Sequence, residues 1–362
     1  MNILIISQNT WPLQNPRAFR TAELSEYLSK LGHKVVLYTV HGRYDYTSYE
    51  KETGIIMKNI RTIFSIPAND GSQRNSIIDR GLWHYFHRLL AFPECEFRYR
   101  IPKIIRQNPN FDLLITIAYP HTIHSGAARA KLLYSDIFPK VWIADCGDPF
   151  FLNPFANVPA YMERYEREWC DLVDYITIPL EQGKSGYFTE YWDKIIVIPQ
   201  AFDFSKTPIC DYKKNEVPTF IFTGTIYPGK RDIHSFMKFL IDNIHTPYKF
   251  KLYVKQRLDD TYSKASNGQI EFIYDKTRTE IIYECSKADF LINVTNIGTV
   301  QSPSKLIDYA IANRPILDIS SDFQEEIIFK EFLSGNYSNA HVVTNIDSFR
   351  IENVARQFLE LV

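Results

Sequence analysis

Apolar residues in the first half of the chain form short runs that alternate with stretches of helical spacing. Residues 3–6 are all isoleucine or leucine, and residues 21–31 then place apolar side chains every three or four positions. Gly32-His33 is a helix stop, and the apolar run 34–39 follows it. Further strand-like runs lie at 113–117, 141–144 and 175–178. Strands that alternate with helices predict a mostly parallel, doubly wound sheet.

The second half of the chain repeats this plan. Strand-like runs lie at 219–223, 249–254, 270–273, 290–294 and 315–319, and helical stretches lie near 235–242, 279–286 and 304–312. We therefore predict an α/β protein with two Rossmann-like doubly wound domains that face a cleft, with ligands at the carboxyl ends of the strands. The predicted division is residues 1–199, a turn-rich linker at 200–217, and residues 218–345. A helix is also predicted at about 346–362, and it is a candidate to pack back on the first domain.

Composition and charge narrow the class of protein. The 362 residues carry 41 basic and 42 acidic side chains, a formal net charge of -1, which excludes bulk attraction to nucleic acid as the main function. The five cysteines form no C-x-x-C pair, so neither a disulfide framework nor a zinc ribbon is expected, and a reducing compartment fits best. The first residues lack a signal-peptide pattern, and no apolar run approaches the roughly 18–20 residues that span a bilayer. These features predict a cytoplasmic protein, with membrane contact only at the surface.

Aromatic residues make up 15% of the chain. Because aromatic side chains mostly fill cores, we expect core packing to account for most of them. Trp11 and Tyr119 are the two candidates for stacking on a sugar.

A glycine-rich turn follows the strand at 219–223. The segment from Gly224 to Arg231 matches the G-x-x-x-x-G-K pattern of a P-loop until its last position, where Arg231 replaces the Ser or Thr that would hold Mg²⁺. A nucleotide-hydrolysing P-loop is therefore disfavoured. A strand-to-helix turn with Lys230 and Arg231 still offers two cations and backbone N–H groups to a diphosphate. The alternative is an ordinary solvated turn.

A second candidate segment runs from Ser302 to Leu317. Ser302 is a plausible N-cap, with Pro303 at the first helical position, and such a helix start attracts anions. Asp308 lies four residues after Ser304 and therefore on the same helical face. Phosphate at the helix start and a carboxylate one turn deeper suit a nucleoside diphosphate whose ribose the carboxylate binds. An ordinary capped helix that leads to a core strand is the alternative.

Together these segments resemble the donor-binding half of the GT-B glycosyltransferases, and among them glycosyltransferase family 4. Asp308 to Pro315 is similar to the family's "E-A-M-A-x-G-x-P", and Pro303 to Tyr309 reproduces the "P-S-K-L-x-D/E-Y" variant of members that assemble polysaccharides. The first half resembles the family at Gly32 to Val35 ("G-H-x-V"), at Ile198 to Asp203 ("I-P-N-G-x-D") and at Ile143 to Phe150 ("D-x-R-D-P-W"). The resemblance covers essentially the whole chain.

The resemblance implies a retaining, metal-independent transfer of a sugar from a nucleoside-diphosphate sugar to a glycan or lipid-linked acceptor, with no cofactor. His121, after the strand at 113–117, would contact the transferred sugar, with His124 as the alternative. Asp148, the second predicted catalytic residue, would bind acceptor hydroxyls or merely cap a turn. Asp308 would bind the donor ribose, and the acceptor would lie near Trp11 and Arg17. The residues expected to bind the donor diphosphate are Gly224, Thr225, Lys230, Arg231, Ser302, Ser304 and Lys305.

Three positions depart from the family pattern. Val300 stands where the first Glu of E-x(7)-E is expected, so either backbone amides around 299–304 replace it or the site is impaired. Thr225 stands where an arginine usually follows the glycine, which shifts the diphosphate charge to Lys230, with Arg231 as a second candidate. The segment 9–17 replaces a "G-G" loop that approaches phosphate in the family.

Residues 80–106 interleave basic and aromatic side chains, as in helices that lie on a membrane surface. Pro93 and Pro102 are expected to break any single helix there, so an ordinary surface of the acceptor domain is the preferred interpretation.

Two other functions stay open at this point. One is a GT-B nucleotide-sugar epimerase, which needs no second substrate. The other is a catalytically inactive scaffold that keeps the fold and binds partners, for which Val300 is the sequence support.

Overall fold

The computed structural model describes residues 1–63, 94–153, 158–226, 232–295 and 304–362. Contacts divide these residues into two compact units, Met1–Asp203 with Ser348–Val362, and Phe204–Asp347. The chain therefore passes from one unit to the other twice. Within the described ranges, no helix is long and apolar enough to cross a membrane.

The first unit is built on a seven-stranded parallel sheet. Its strand order is β3-β2-β1-β4-β5-β6-β7, so β2 and β3 lie on one side of β1, and β4 to β7 lie on the other side. The strands are β1 (Asn2–Ser7), β2 (Lys34–Thr39), β3 (Ile56–Asn59), β4 (Leu113–Ile117), β5 (Val141–Asp145), β6 (Tyr175–Ile178) and β7 (Ile195–Val197). The helices are α1 (Pro16–Lys30), α2 (Thr47–Thr53), α3 (Phe97–Gln107), α4 (Thr122–Leu133), α5 (Met162–Leu172) and α11 (Ile351–Leu359).

Strand β1 shows why this sheet is covered on both faces. Leu4 and Ile6 lie in one hydrophobic core, and Ile3 and Ile5 lie in the other, because successive side chains of a strand point to opposite faces. Four consecutive apolar side chains are therefore all buried only when helices pack on both faces of the sheet. Helix α11 belongs to the second of these cores, where Phe358 is fully buried.

The second unit repeats the parallel arrangement in a five-stranded sheet of order β10-β9-β8-β11-β12. Its strands are β8 (Thr219–Thr223), β9 (Lys249–Tyr253), β10 (Ile270–Ile273), β11 (Phe290–Val294) and β12 (Ile316–Ile319). Its helices are α6 (His234–Asn243), α7 (Thr261–Ala265), α8 (Arg278–Ser286), α9 (Ser304–Ala312) and α10 (Glu326–Ser334). Both sheets with their helices confirm the predicted α/β fold class.

Aromatic rings fill the core of the second unit. Phe220 lies between Phe250 and Phe290, with ring centroids 4.9 Å away on each side, and Phe236 and Phe329 complete the cluster. Much of the aromatic excess in the composition is therefore core packing. The segment 204–217 also packs on this unit, since Tyr212 donates a hydrogen bond to Asp289 at 2.5 Å.

The start of helix α1 was predicted too late. The helix begins at Pro16 rather than Thr21, with Asn15 as its N-cap, whose side chain accepts a hydrogen bond from the Ala18 amide at 2.9 Å. Apolar spacing missed the first turn because Arg20, a charged residue, occupies a buried position there. The short edge strands β3 and β7 were missed as well.

Pro102 does not break a helix, contrary to the prediction. Helix α3 runs through it, and the predicted break at Pro93 lies outside the described residues. Helix α3 packs closely on α4 at Gly126, where an added Cβ would lie 2.7 Å from the Phe97 carbonyl oxygen. This packing offsets the hydrogen bond that the proline removes.

Candidate functional site

The carboxyl end of the first sheet carries a buried charged group that links helix α1 to strands β5 and β6. The carboxylate of Asp145, at the end of β5, accepts hydrogen bonds from Arg17, from Arg20 at 2.8 Å and from Thr177 at 2.8 Å. Although burial opposes ionisation, the two arginines and these hydrogen bonds hold the pKa of Asp145 well below its usual range. Asp145 is therefore a permanent anion that fixes both arginines.

Arg20 ties this group to the end of the first unit. Its Nη1 donates a hydrogen bond to the Pro199 carbonyl at 2.7 Å, and its guanidinium lies 4.8 Å from the ring centre of Phe358. Arg17, predicted on the acceptor side, lies one helical turn before it, with a side chain that is 15% exposed. Arg17 is thus the member of the group that reaches toward solvent.

His121 and His124 differ sharply in their surroundings. His124 is fully buried: Thr116 Oγ1 lies 2.8 Å from its Nδ1 and the Cys146 thiol lies 3.4 Å from its Nε2. His121 is 5% exposed, and its Nδ1 makes no hydrogen bond to any described residue. Of the two histidines, only His121 keeps a nitrogen available to a ligand.

The imidazole of His121 is neutral at physiological pH. Burial, with a smaller effect from the charge of Arg17, lowers its pKa to about 3, although a hydrogen bond with the Asp148 backbone opposes the shift. The ring also stacks on Phe150, with centroids 4.9 Å apart. His121 can therefore donate or accept a hydrogen bond, but it cannot act as a general acid in its imidazolium form.

Asp148 lies in the loop that follows β5, and its side chain is exposed. The loop is held from behind, because Phe151 donates its amide to Glu166 at 3.3 Å and Asn153 donates to the Pro149 carbonyl at 3.2 Å. Burial raises the pKa of Glu166 to about 7. The loop therefore places Asp148 next to His121 at the carboxyl end of the first sheet.

His121, His124 and Cys146 are also a possible set of metal ligands, because their ligand atoms all lie within 4.8 Å of one another. The surroundings disfavour a cation there. Burial raises the pKa of the Cys146 thiol, so the thiolate form that metals bind is costly, and the nearby Arg17 repels positive charge. Cys146 is better described as a hydrogen-bonding partner that supports the imidazole of His124.

Trp11 belongs to an aromatic cluster at the same end of the first unit. Its indole is 39% exposed, stacks on Tyr49 at 5.0 Å between ring centroids and meets Tyr44 edge-on at 5.1 Å. Tyr119, the other predicted stacking residue, is 50% exposed. Both rings are accessible to a ligand.

In the second unit, the glycine turn and helix α9 meet at the carboxyl end of β8. Gly224 has a φ of 133°, a conformation that favours glycine, and its amide donates to Tyr253 at 3.0 Å. Tyr309 of α9 accepts the Thr223 amide at 2.8 Å and donates to the Ile292 carbonyl at 3.0 Å. This tyrosine fixes the first turns of α9 beside β8 and β11.

Asp308, the predicted ribose ligand, is 5% exposed and is held by two cations. Arg278, at the start of α8, contacts Oδ1 through Nε at 2.8 Å and through Nη2 at 2.7 Å, and Lys305 contacts Oδ2 at 3.2 Å. Lys305 was predicted to bind the donor diphosphate, and here it shares its charge with Asp308.

The remaining predicted donor residues divide into two groups. Thr225 is partly exposed directly after Gly224, and Ser304 is the first residue of α9. Lys230, Arg231 and Ser302 lie outside the described residues, as do Val300 and Pro303.

Sequence reasoning missed two structural partners of the site. Arg278 is 30 positions away from Asp308 in the chain, and Arg20 is 125 positions away from Asp145. The only available signal was an arginine just after a predicted strand or within a predicted helix, which is too common to be specific.

The two units define the fold class of the chain. Two parallel Rossmann-like α/β units in one chain are the architecture of the GT-B glycosyltransferases, and the chain has that fold. No family model matches the sequence. A search of curated proteins also returned no match.

Solved structures resemble the chain over its whole length. A glycosyltransferase from Rickettsia africae ESF-5 superposes with a TM-score of 0.66 at 13% identity, covering 100% of this chain and 97% of that one. HepE from Anabaena, solved in complex with UDP-glucose, gives 0.56 at 10% identity, covering 99% and 98%. A UDP-GlcNAc 2-epimerase from Neisseria meningitidis, bound to UDP-GlcNAc, gives 0.57 at 14% identity, covering 100% and 99%. At such low identity these likenesses show the fold alone.

Proposed function

We propose that this chain is a glycosyltransferase that moves a sugar from a nucleoside-diphosphate sugar to a hydroxyl of a glycan or lipid-linked acceptor. The transfer retains the anomeric configuration, needs no metal ion, and serves the synthesis of a cell-surface polysaccharide, with the protein in the cytoplasm or at the inner face of the membrane. The second unit holds the donor, and the first unit holds the acceptor. Membership of glycosyltransferase family 4 is part of the same proposal.

The observation that carries the proposal is the arrangement in the second unit. Thr223, just before the Gly224 turn at the carboxyl end of β8, is hydrogen bonded to Tyr309 in the second turn of α9, and Tyr309 also contacts β11. This is where the strand order reverses, and ligands of parallel sheets bind at such a point. A likeness to glycosyltransferases over the whole chain adds support from the fold.

Asp308 suits a ribose ligand because its two oxygens are used unequally. Among the described residues, Arg278 contacts Oδ1 twice, whereas Lys305 is the single side chain that contacts Oδ2. A carboxylate oxygen can accept two hydrogen bonds, so Oδ2 keeps one position for a ribose hydroxyl. The pairing with Arg278 would hold the carboxylate in a single orientation before the nucleotide binds.

The chemical task is to stabilise negative charge that grows on the departing diphosphate. Preorganised cations and backbone amides achieve this most effectively, because they need no rearrangement during the reaction. Lys305 and the start of α9 supply part of the charge, and we assign the rest to Lys230 and Arg231. Ser302, Ser304, Gly224 and Thr225 would complete the diphosphate site.

His121 would position the transferred sugar as a neutral hydrogen-bonding group. Its Nδ1, which has no hydrogen-bond partner among the described residues, and its pKa of about 3 both fit a contact with a sugar hydroxyl rather than proton transfer. Asp148, at the same carboxyl end of the sheet, would bind a hydroxyl of the acceptor. Trp11 and Arg17 would contact the acceptor beyond it.

The direct test is calorimetric titration of the protein with UDP and GDP. We expect one of them to bind, and we expect Lys230→Ala to weaken that binding by about 1.5–3 kcal/mol, the usual range for a hydrogen bond to a charged group. Lys238→Ala removes an exposed lysine of α6 and serves as the matched control. Failure of every nucleotide to bind would overturn the enzyme assignment and favour an inactive scaffold, and an unchanged affinity would remove Lys230 from the site.

A nucleotide-sugar epimerase is the second candidate, because the likeness to the Neisseria meningitidis epimerase also covers the whole chain. An epimerase converts UDP-GlcNAc without any acceptor, whereas a transferase at most hydrolyses it slowly. Incubating the protein with UDP-GlcNAc alone therefore separates the two functions. Formation of an equilibrium mixture of UDP-GlcNAc and its 2-epimer would replace the transferase proposal.

A further inference from the structure

The turn after β8 keeps its hydrogen bonds to the neighbouring strand for one residue beyond the sheet. Strands β8 and β9 are parallel, with Thr223 opposite Tyr253, and the Gly224 amide donates to the Tyr253 carbonyl at 3.0 Å. In a continued parallel ladder, the backbone of Lys255 would be the next to pair with Ile226. Ile226 pairs instead with a side chain from the loop that follows β9.

That side chain belongs to Gln256. Its Nε2 donates to the Ile226 carbonyl at 2.7 Å, and its Oε1 accepts the Ile226 amide at 3.4 Å. A side-chain amide offers both a donor and an acceptor, as a peptide group does, so Gln256 takes the place of one backbone residue in the ladder. The side chain of Ile226 is 3% exposed and belongs to the hydrophobic core of the second unit. Both the backbone and the side chain of Ile226 are therefore fixed.

Thr225 lies between two anchored residues. Gly224 is held by Tyr253 and Ile226 is held by Gln256, while Thr225 itself is partly exposed. Gly224 and Thr225 are also the described residues of this turn that we assign to the donor diphosphate. Backbone amides stabilise a phosphate best when their orientation is set before the ligand arrives, because ordering them on binding costs free energy.

We infer that Gln256 is a positioning residue for the donor diphosphate, which holds the turn 224–226 in the conformation that binds the nucleotide. The inference rests on the proposed function, because the contact has a role in binding only if a diphosphate lies at this turn. Both polar atoms of the Gln256 side chain are engaged by Ile226, so Gln256 acts through the turn.

The test is Gln256→Met, which keeps the length of the side chain and removes both hydrogen bonds. We expect the affinity for UDP or GDP, whichever the wild-type protein binds, to fall roughly three- to tenfold, the range for the net contribution of one hydrogen bond. The affinity for the matching nucleoside, uridine or guanosine, should not change, because a nucleoside has no phosphate to contact the turn. Calorimetry measures the nucleotide, and saturation-transfer NMR measures the nucleoside.

Two further variants check the contact. Gln256→Ala removes the same two hydrogen bonds and should weaken the nucleotide in the same way, which guards against an effect of the methionine side chain. Gln107→Met makes the matched substitution at an exposed position of the first unit and should change neither affinity. Far-UV circular dichroism should be the same for all three variants. Wild-type affinity for the nucleotide in both Gln256 variants, or equal weakening of nucleotide and nucleoside, would overturn the positioning role.

Hydrogen exchange of the protein without ligand separates this inference from the proposed function. The Ile226 amide should exchange roughly three- to tenfold faster in Gln256→Met, because it loses its acceptor. The Gly224 amide is the internal reference and should keep its rate, since it is bonded to Tyr253. Unchanged exchange at Ile226 would overturn the contact whether or not a nucleotide binds. Faster exchange at Ile226 in a protein that binds neither UDP nor GDP would support the contact but overturn both the proposed function and the role of Gln256 in donor binding.

Discussion

The ion pair between Arg278 and Asp308 should couple far more strongly than an exposed pair of the same geometry. Arg278 Nη2 lies 2.7 Å from Asp308 Oδ1, and the two side chains are 17% and 7% exposed. Arg257 and Asp275 lie 2.8 Å apart, but their side chains are 74% and 81% exposed. The two pairs belong to the same unit and differ mainly in burial, so each controls for the other.

The magnitude follows from that difference in burial. Breaking a buried pair costs about 3–5 kcal/mol, because the remaining charge is left without its partner. Lys305 stays near Asp308 and reduces this cost, so we expect a coupling free energy of about 2–3 kcal/mol for Arg278 and Asp308. Exposed pairs couple by only about 0–1 kcal/mol, which sets the expectation for Arg257 and Asp275.

The assay is a pair of double-mutant cycles, with Arg278→Ala and Asp308→Asn in one and Arg257→Ala and Asp275→Asn in the other. Stability is measured by urea unfolding, followed by far-UV circular dichroism. The five tryptophans all precede residue 204, so their emission reports the first unit and should not change in any of these variants. Equal coupling free energies in the two cycles would refute the role of burial in holding Asp308.

Two further predictions concern the loop that carries Asp148. An added Cβ on Gly186 would overlap the Pro149 ring, so Gly186→Ala should lower the free energy of unfolding by about 1–3 kcal/mol. Gly183→Ala is the control and should change this free energy little, because its Cβ would lie 3.6 Å from the nearest atom, Ile178 Cδ1. Equal urea midpoints for the two variants would contradict the contact between Gly186 and Pro149. The pKa of Glu166 is raised by burial from 4.5 to about 7, so its stabilising contribution is complete below pH 4.5 and is lost as the pH rises through 7. Wild-type protein should therefore lose roughly 2–4 kcal/mol relative to Glu166→Gln between pH 5 and pH 8, measured by tryptophan emission in urea, and a difference that stays constant with pH would contradict the raised pKa.

The strand and helix pattern was predictable because it depends on local spacing. All the strands proposed from apolar runs are present within a residue or two, and the helix predicted at 304–312 is found at Ser304–Ala312. Errors occurred where tertiary contacts override local signals. Arg20 is charged yet buried because Asp145 neutralises it, and Pro102 is tolerated because Gly126 lets two helices approach closely.

The sequence by itself determined the α/β class and the two repeats of the parallel plan, because both are encoded in contiguous residues. Only the tertiary structure decided which side chains share a site. His121 and His124 are three positions apart, yet within the part of the chain that the structure describes, burial and hydrogen bonding leave a nitrogen available on His121 alone. Charges from distant strands and helices likewise meet at Asp145 and at Asp308, since parallel strands bring their carboxyl ends to one edge whatever their distance in sequence.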